Sequence, residues 1–76
     1  MSREAIKRAV KIAGSQKALA DGIANFLNRE TFSQQTVSYW IKRGTAIEAE
    51  YWPAIEHVTH NQVTRRDLRP DVFAAA

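Results

Sequence analysis

Between Ala5 and Ala13 the apolar residues Ala5, Ile6, Ala9, Val10 and Ala13 recur at spacings of three and four, which lays them along one side of an α-helix. The pattern predicts a first helix over Arg3–Ala13. Ser2 is its expected N-cap, and Gly14 can take the left-handed conformation that ends it. Ser15 caps a second helix that begins at Gln16 and turns Leu19, Ala20, Ile23, Phe26 and Leu27 inward. Gly22 lies inside that helix at a cost of about 1 kcal/mol relative to alanine. The polar stretch from Asn28 to Thr31 breaks the pattern and reads as a turn. Ser33 caps a third helix, Gln34 to Lys42, with Val37, Trp40 and Ile41 as its buried stripe and Gly44 as its stop. A fourth helix is expected from Glu48 to Thr59, with Ile55 and Val58 inward. Pro53 falls within that span and deletes a backbone hydrogen bond, which predicts a kink or a later start. His60 to Gln62 reads as a turn, and Thr64 caps a short turn through Asp67 and Leu68 that Pro70 limits. Val72-Phe73 is the one strand candidate, and it is short. The fold class is therefore all-α: a four- to five-helix bundle forming one domain over residues 1–73, with 74–76 a frayed tail.

Composition narrows the setting. A chain of 76 residues buries one small core, which suits a compact helical bundle or a protomer that gains burial by pairing. Without cysteine there is neither a disulfide framework nor a thiolate metal site, which fits a reducing cytoplasm. The longest unbroken apolar run, Val72 to Ala76, falls far short of the ~20 residues that span a bilayer. Arg3, Glu4, Lys7 and Arg8 give the start of the chain a charged, amphipathic character unlike a secretory leader. The net charge of +3 is unevenly spread: residues 1–45 carry +5 and residues 46–76 carry −2. A basic first half points to a polyanionic partner such as nucleic acid, or else reflects ordinary variation in surface charge. Arg3, Lys7, Arg8 and Lys11 on the first helix read as a solvated face.

Catalytic chemistry finds no foothold. There is no Ser-His-Asp arrangement, no glycine loop to cradle phosphate and no convincing carboxylate pair, so no enzyme is expected. His57 and His60 sit three apart next to Glu56, but two imidazoles without a thiol make a poor metal site, and neither metal nor cofactor is expected. Phe32, Tyr51, Trp52 and Phe73 read as core or dimer contacts.

The order helix, tight cap, helix, polar turn, short helix is the layout of a helix-turn-helix, whose second motif helix lies in the major groove of DNA. With Val37 and Trp40 inward, Gln34, Gln35, Ser38, Tyr39 and Lys42 face outward. Glutamine can bond adenine N6 and N7 bidentately and serine can donate or accept, so Gln34, Gln35, Ser38 and Tyr39 are the candidate base contacts. Ser15, Gln16 and Lys17 combine free N–H groups, an amide and a cation at a helix start, which suits a phosphate. Thr36, Lys42 and Arg43 complete the candidate phosphate contacts, although Lys42 and Arg43 also complement the negative end of their own helix.

Gly14-Ser15-Gln16-Lys17-Ala18-Leu19-Ala20 followed by Gln34-Gln35-Thr36-Val37-Ser38-Tyr39-Trp40 resembles the lambda-type Cro/CI repressor motif. Ala54-Ile55-Glu56 and the run from Val63 through Leu68-Arg69-Pro70-Asp71 to Phe73 resemble, more narrowly, the YdaS-like subgroup. The resemblance covers nearly the whole chain. It implies a repressor-like domain of prophage origin acting as a Cro-like regulator, often labelled the antitoxin of a pair. By position it makes Gln16 the backbone anchor, turns Gln34, Gln35 and Ser38 toward bases, and leaves Val37 and Trp40 in the core. One departure is that Phe32 follows Gln16 by sixteen residues, seven more than the motif usually has. Either the second helix is extended or the turn is enlarged; the reading adopted is a helix through about Asn28 followed by a longer turn. The function expected on these grounds is a dimeric repressor on a palindromic operator in double-stranded DNA. The alternatives are an antitoxin or protein-binding module using Trp52, Phe73 and the acidic second half, or an activator of the same fold.

Overall fold

The computed structural model describes residues 3–44 and 47–70. The expected Ser2 cap, the Val72-Phe73 strand candidate and the 74–76 tail lie outside them. Five α-helices follow in order: α1 Arg3–Ala13, α2 Gln16–Phe26, α3 Gln34–Arg43, α4 Trp52–Val58 and α5 Arg65–Leu68. Among the described residues there is no strand, as the absence of period-two alternation predicts.

The helix ends follow from individual side chains. The Ser15 hydroxyl accepts from the Ala18 N–H at 3.0 Å, and the Ser33 hydroxyl accepts from the Gln35 N–H at 3.1 Å. Both satisfy orphan donors of a first turn. α2 ends at Phe26, two residues before the expected Asn28. Asn28 instead adopts φ 58°, while its N–H donates to the Asn25 carbonyl and the Arg29 N–H donates to the Ala24 carbonyl. This is the Schellman closure, and asparagine tolerates the left-handed conformation it needs. α4 closes in the same manner, with His60 at φ 54° and the Asn61 N–H donating to the Glu56 carbonyl at 2.7 Å.

The fourth helix starts late rather than kinking. A 3-10 turn occupies Ala49–Tyr51, and Pro53 sits in the first turn of α4. Its missing N–H falls there among donors that have no intrahelical partner in any case. α5 is a single turn, and the Asp67 carboxylate reaches back to accept from the Thr64 N–H at 3.0 Å.

Ile6, Leu19, Ile23, Val37, Ile47, Ile55, Val63 and Leu68 are fully buried and draw on every helix, with Trp40 almost so. Thr59 is the one buried polar residue among those described. Its hydroxyl donates to the Ile55 carbonyl at 2.8 Å and accepts from the Val63 N–H at 3.2 Å, joining the end of α4 to the segment that leads to α5. Phe26 departs from expectation: it is 43% exposed, with its ring 5.1 Å from that of His57. The reason lies in the helical wheel. Ala24 and Ala20 are buried together with Leu19 and Ile23, which moves the centre of the buried stripe about 90° away from Phe26.

Gly22 also finds an explanation. A Cβ on Gly22 would lie 2.7 Å from Cγ2 of Val58, so its absence sets how closely α2 approaches α4. Valine is stiff about χ1 and cannot swing clear. Gly22→Ala should therefore lower stability by on the order of 1 kcal/mol, the overpacking outweighing the gain in helix propensity. A urea midpoint higher than that of the parent protein would contradict this.

The surplus between Gln16 and Phe32 is divided. α2 runs three turns, and residues 27–33 form an enlarged connection. That connection is pinned by rings. Phe32 lies 5.9 Å from Trp40 and 5.0 Å from Tyr51, and Trp40 lies 5.8 Å from Tyr51. Arg29 adds a cation 5.6 Å from the Tyr51 ring and pairs with Glu50 at 3.0 Å. Phe32 and Tyr51 thus pack on the core, as expected of them, and Trp52 is half-buried with its indole N–H donating to the Ile47 carbonyl at 3.0 Å. Phe73 is outside the described residues.

Candidate nucleic-acid interface

α3 has two unlike sides. Val37 and Trp40 are buried, while Gln34, Gln35, Tyr39, Lys42 and Arg43 are exposed and Thr36 and Ser38 are half-buried. On the helical wheel Gln35, Ser38, Tyr39 and Lys42 surround the direction opposite the core, Gln34 and Arg43 flank it, and Thr36 lies nearer the core. Four of the residues expected to meet bases or phosphates therefore share one outward ridge on a helix clamped from behind. The clamp is the ring cluster: Trp40 belongs both to it and to the core.

Tyr39 and Arg43 are a pair that sequence reading separated into different roles. The Arg43 guanidinium lies 4.8 Å from the centre of the Tyr39 ring, one helical turn away. The ring's electron-rich face holds the cation, which restricts an otherwise mobile side chain while leaving its N–H fork available.

Ser15, Gln16 and Lys17 take local roles. Ser15 is the cap of α2, Gln16 is half-buried, and Lys17 pairs with Asp21 at 2.9 Å. No hydrogen bond among the described residues links these three to α3. The Lys17–Asp21 pair is exposed on both sides and is worth a few tenths of a kcal/mol at most, about 0.3–0.5 kcal/mol for such helical pairs, so it does not lock the ammonium in place.

The charge asymmetry along the chain is partly cancelled in three dimensions. Arg8 pairs with Asp67 at 3.4 Å and donates to the Gln62 carbonyl at 3.2 Å, and Arg29 pairs with Glu50. Two cations of the basic half are thus placed against acids of the acidic half. Arg3, Lys7, Arg8 and Lys11 are all exposed, as expected of a solvated face, and within it Arg8 ties α1 to α5. Arg3, also on that face, reaches the carbonyl of Lys42 with its guanidinium. Such contacts between residues far apart in sequence leave no local signature in composition or periodicity.

Glu56 is likewise committed. Its carboxylate accepts from Arg65 through the backbone N–H at 2.9 Å, Nε at 3.1 Å and Nη2 at 2.9 Å. No group of three or more potential metal-binding side chains occurs among the described residues. The hydrogen bonds from Arg65 hold the Glu56 carboxyl below the ordinary glutamate range, more than partial burial raises it. The unfolded chain therefore binds the proton more readily, and stability contributed by this group is present above the unfolded pKa and lost as pH falls through the folded one. Thermal midpoints followed into acid should fall in that window for the parent protein and less steeply for Glu56→Gln. Parallel curves would show that Glu56 does not drive the acid loss.

Residues 6–76 match the protein family described as bacterial toxin YdaS. The chain belongs to the YdaS family. It is 35% identical over 66 residues to a protein of Escherichia coli (strain K12) named "Putative transcriptional regulator YdaS". That stretch covers 87% of this chain and 60% of the relative, so this YdaS family member spans less than two thirds of the relative's length. No solved structure matches. The family description names a toxin and the relative's name a regulator, and α3 is where the two can be weighed. No helix among the described residues is long and apolar enough to cross a membrane.

Proposed function

We propose that this YdaS family member is a sequence-specific DNA-binding repressor that acts as a dimer on a palindromic operator. Each protomer lays α3 in a major groove, with half-sites about one helical turn apart, roughly 34–36 Å. The observation that carries the reading is the two-sided character of α3: Gln34 and Gln35 exposed at its N-terminal end, Val37 and Trp40 buried behind them. A recognition helix needs both, since base edges are read by polar side chains that a rigid scaffold aims. Gln34, Gln35, Ser38 and Tyr39 meet bases. Lys42, Arg43 and Thr36 meet phosphates, together with Ser15, Gln16 and Lys17 at the start of α2. The regulator name carried by the Escherichia coli relative is in keeping with this reading.

The rival reading, an antitoxin or protein-binding module, drew on Trp52, Phe73 and the acidic second half. Trp52 is half-buried with its indole N–H engaged, which takes away part of that support. Selection of bound sequences from a random duplex pool tests the proposal. A palindromic consensus is the expected result. Failure to enrich any sequence, together with a tight stoichiometric protein partner in a pulldown, would favour the rival.

A further inference from the structure

Arg3 stands outside the surface assigned so far, yet its guanidinium sits at the C-terminal end of α3. Nη2 donates to the Lys42 carbonyl at 3.2 Å, across 39 residues of sequence. The guanidinium rests over Gly44, where a Cβ would come within 2.8 Å of Arg3 Nε. Gly44 supplies the left-handed φ of 62°, and the space beside it is where the guanidinium sits.

The last carbonyls of a helix carry partial negative charge, which repels a phosphate brought up to that end. A helix lying in a groove must nevertheless run its ends past phosphate strands. At α3 this repulsion is opposed by three cations: Lys42 and Arg43 on its final turn and Arg3 on the carbonyl itself. A guanidinium has five N–H donors, and the bond to Lys42 uses one of them. Arg3 is exposed and, among the described residues, forms no ion pair, in contrast to Lys7, Arg8, Lys17, Arg29 and Arg65.

We infer that Arg3 is a phosphate-contacting and positioning residue that joins Lys42 and Arg43 in a three-cation clamp at the C-terminal end of α3. The inference rests on the DNA-binding reading of α3 and adds to it a residue from α1, so that the clamp is assembled only when the bundle is folded.

Binding of the full chain, without an N-terminal tag, to a fluorescein-labelled duplex of random sequence would be followed by anisotropy over about 50–200 mM salt. Arg3→Gln should reduce the slope of log affinity against log salt by about 1 and weaken binding roughly five-fold at physiological salt. Arg3→Lys, which keeps the charge, should retain the slope. Gly44→Asn tolerates the left-handed backbone but fills the seat of the guanidinium, and it should lower the slope with Arg3 chemically intact. The near-ultraviolet signal of the tryptophans verifies folding of each variant. An unchanged slope in folded Arg3→Gln, or equal losses in Arg3→Gln and Arg3→Lys, would overturn the inference while leaving DNA binding in place. A parent protein without salt-dependent duplex affinity would overturn the DNA-binding reading itself, and the clamp with it.

Discussion

Trp40→Ala should lower the stability of the domain by about 3–5 kcal/mol, the usual range for emptying a buried tryptophan site. A domain of 76 residues is stable by only about 4–11 kcal/mol in all, so the change removes a large part of the total. Two losses coincide in this residue. Its ring fills the core beside Val37, and it is the ring through which Phe32 and Tyr51 hold the α2–α3 connection. Emptying the site therefore leaves a cavity and frees two neighbouring aromatics. The thermal midpoint should drop by more than about 12 °C. Trp40→Phe, which preserves a ring for Phe32 and Tyr51 to meet, should lose less. A midpoint for Trp40→Ala within a few degrees of the parent would mean that α3 is held by other contacts.

The second large effect concerns recognition. Gln35→Ala should remove about 1–3 kcal/mol of discrimination at one base pair of each half-site, which is roughly five-fold or more in the preference for that base. Lys42→Ala should weaken operator and random duplex alike and lower the salt slope by about 1. The contrast matters more than either number. Both residues lie on the same outward ridge of α3, so a general disturbance of the helix would affect both kinds of binding in both variants. Equal losses on operator and random DNA for the two substitutions would remove Gln35 from the base-reading surface.

Much of the fold was legible because its signals are local. The boundaries of α1 and the start of α3 fall where apolar spacing and capping residues put them, with Ser33 and Gly44 marking the two ends of α3. The helix expected from Glu48 starts late, one of the two outcomes that Pro53 predicts, with a 3-10 turn over Ala49–Tyr51 ahead of it. Pro53, preorganised for a first turn, shifts the start to Trp52. Phe26 has the size of a core residue but lies off the buried stripe, which the small Ala20 and Ala24 help to define. The outward residues of α3 could be named from two buried neighbours, since helical geometry fixes the rest. The Arg3 contact with Lys42, the Arg8 contact with Asp67 and the bridging hydroxyl of Thr59 could not. The first two join segments whose proximity exists only after the chain has folded; the Thr59 bonds reach only four residues to either side, but no periodicity marks them.

The end of the α2–α3 connection is pinned by Phe32 on the Trp40 and Tyr51 rings, while Val37 and Trp40 seat α3 on the core. Glu30 and Thr31, just before that anchor, are exposed. Chain length there is consequently free to drift: a short graft of glycine and serine between Glu30 and Thr31 should leave the pose of α3 untouched, while one placed after Phe32 should not. The site before the anchor is where a dye or an affinity handle can be carried without disturbing the domain.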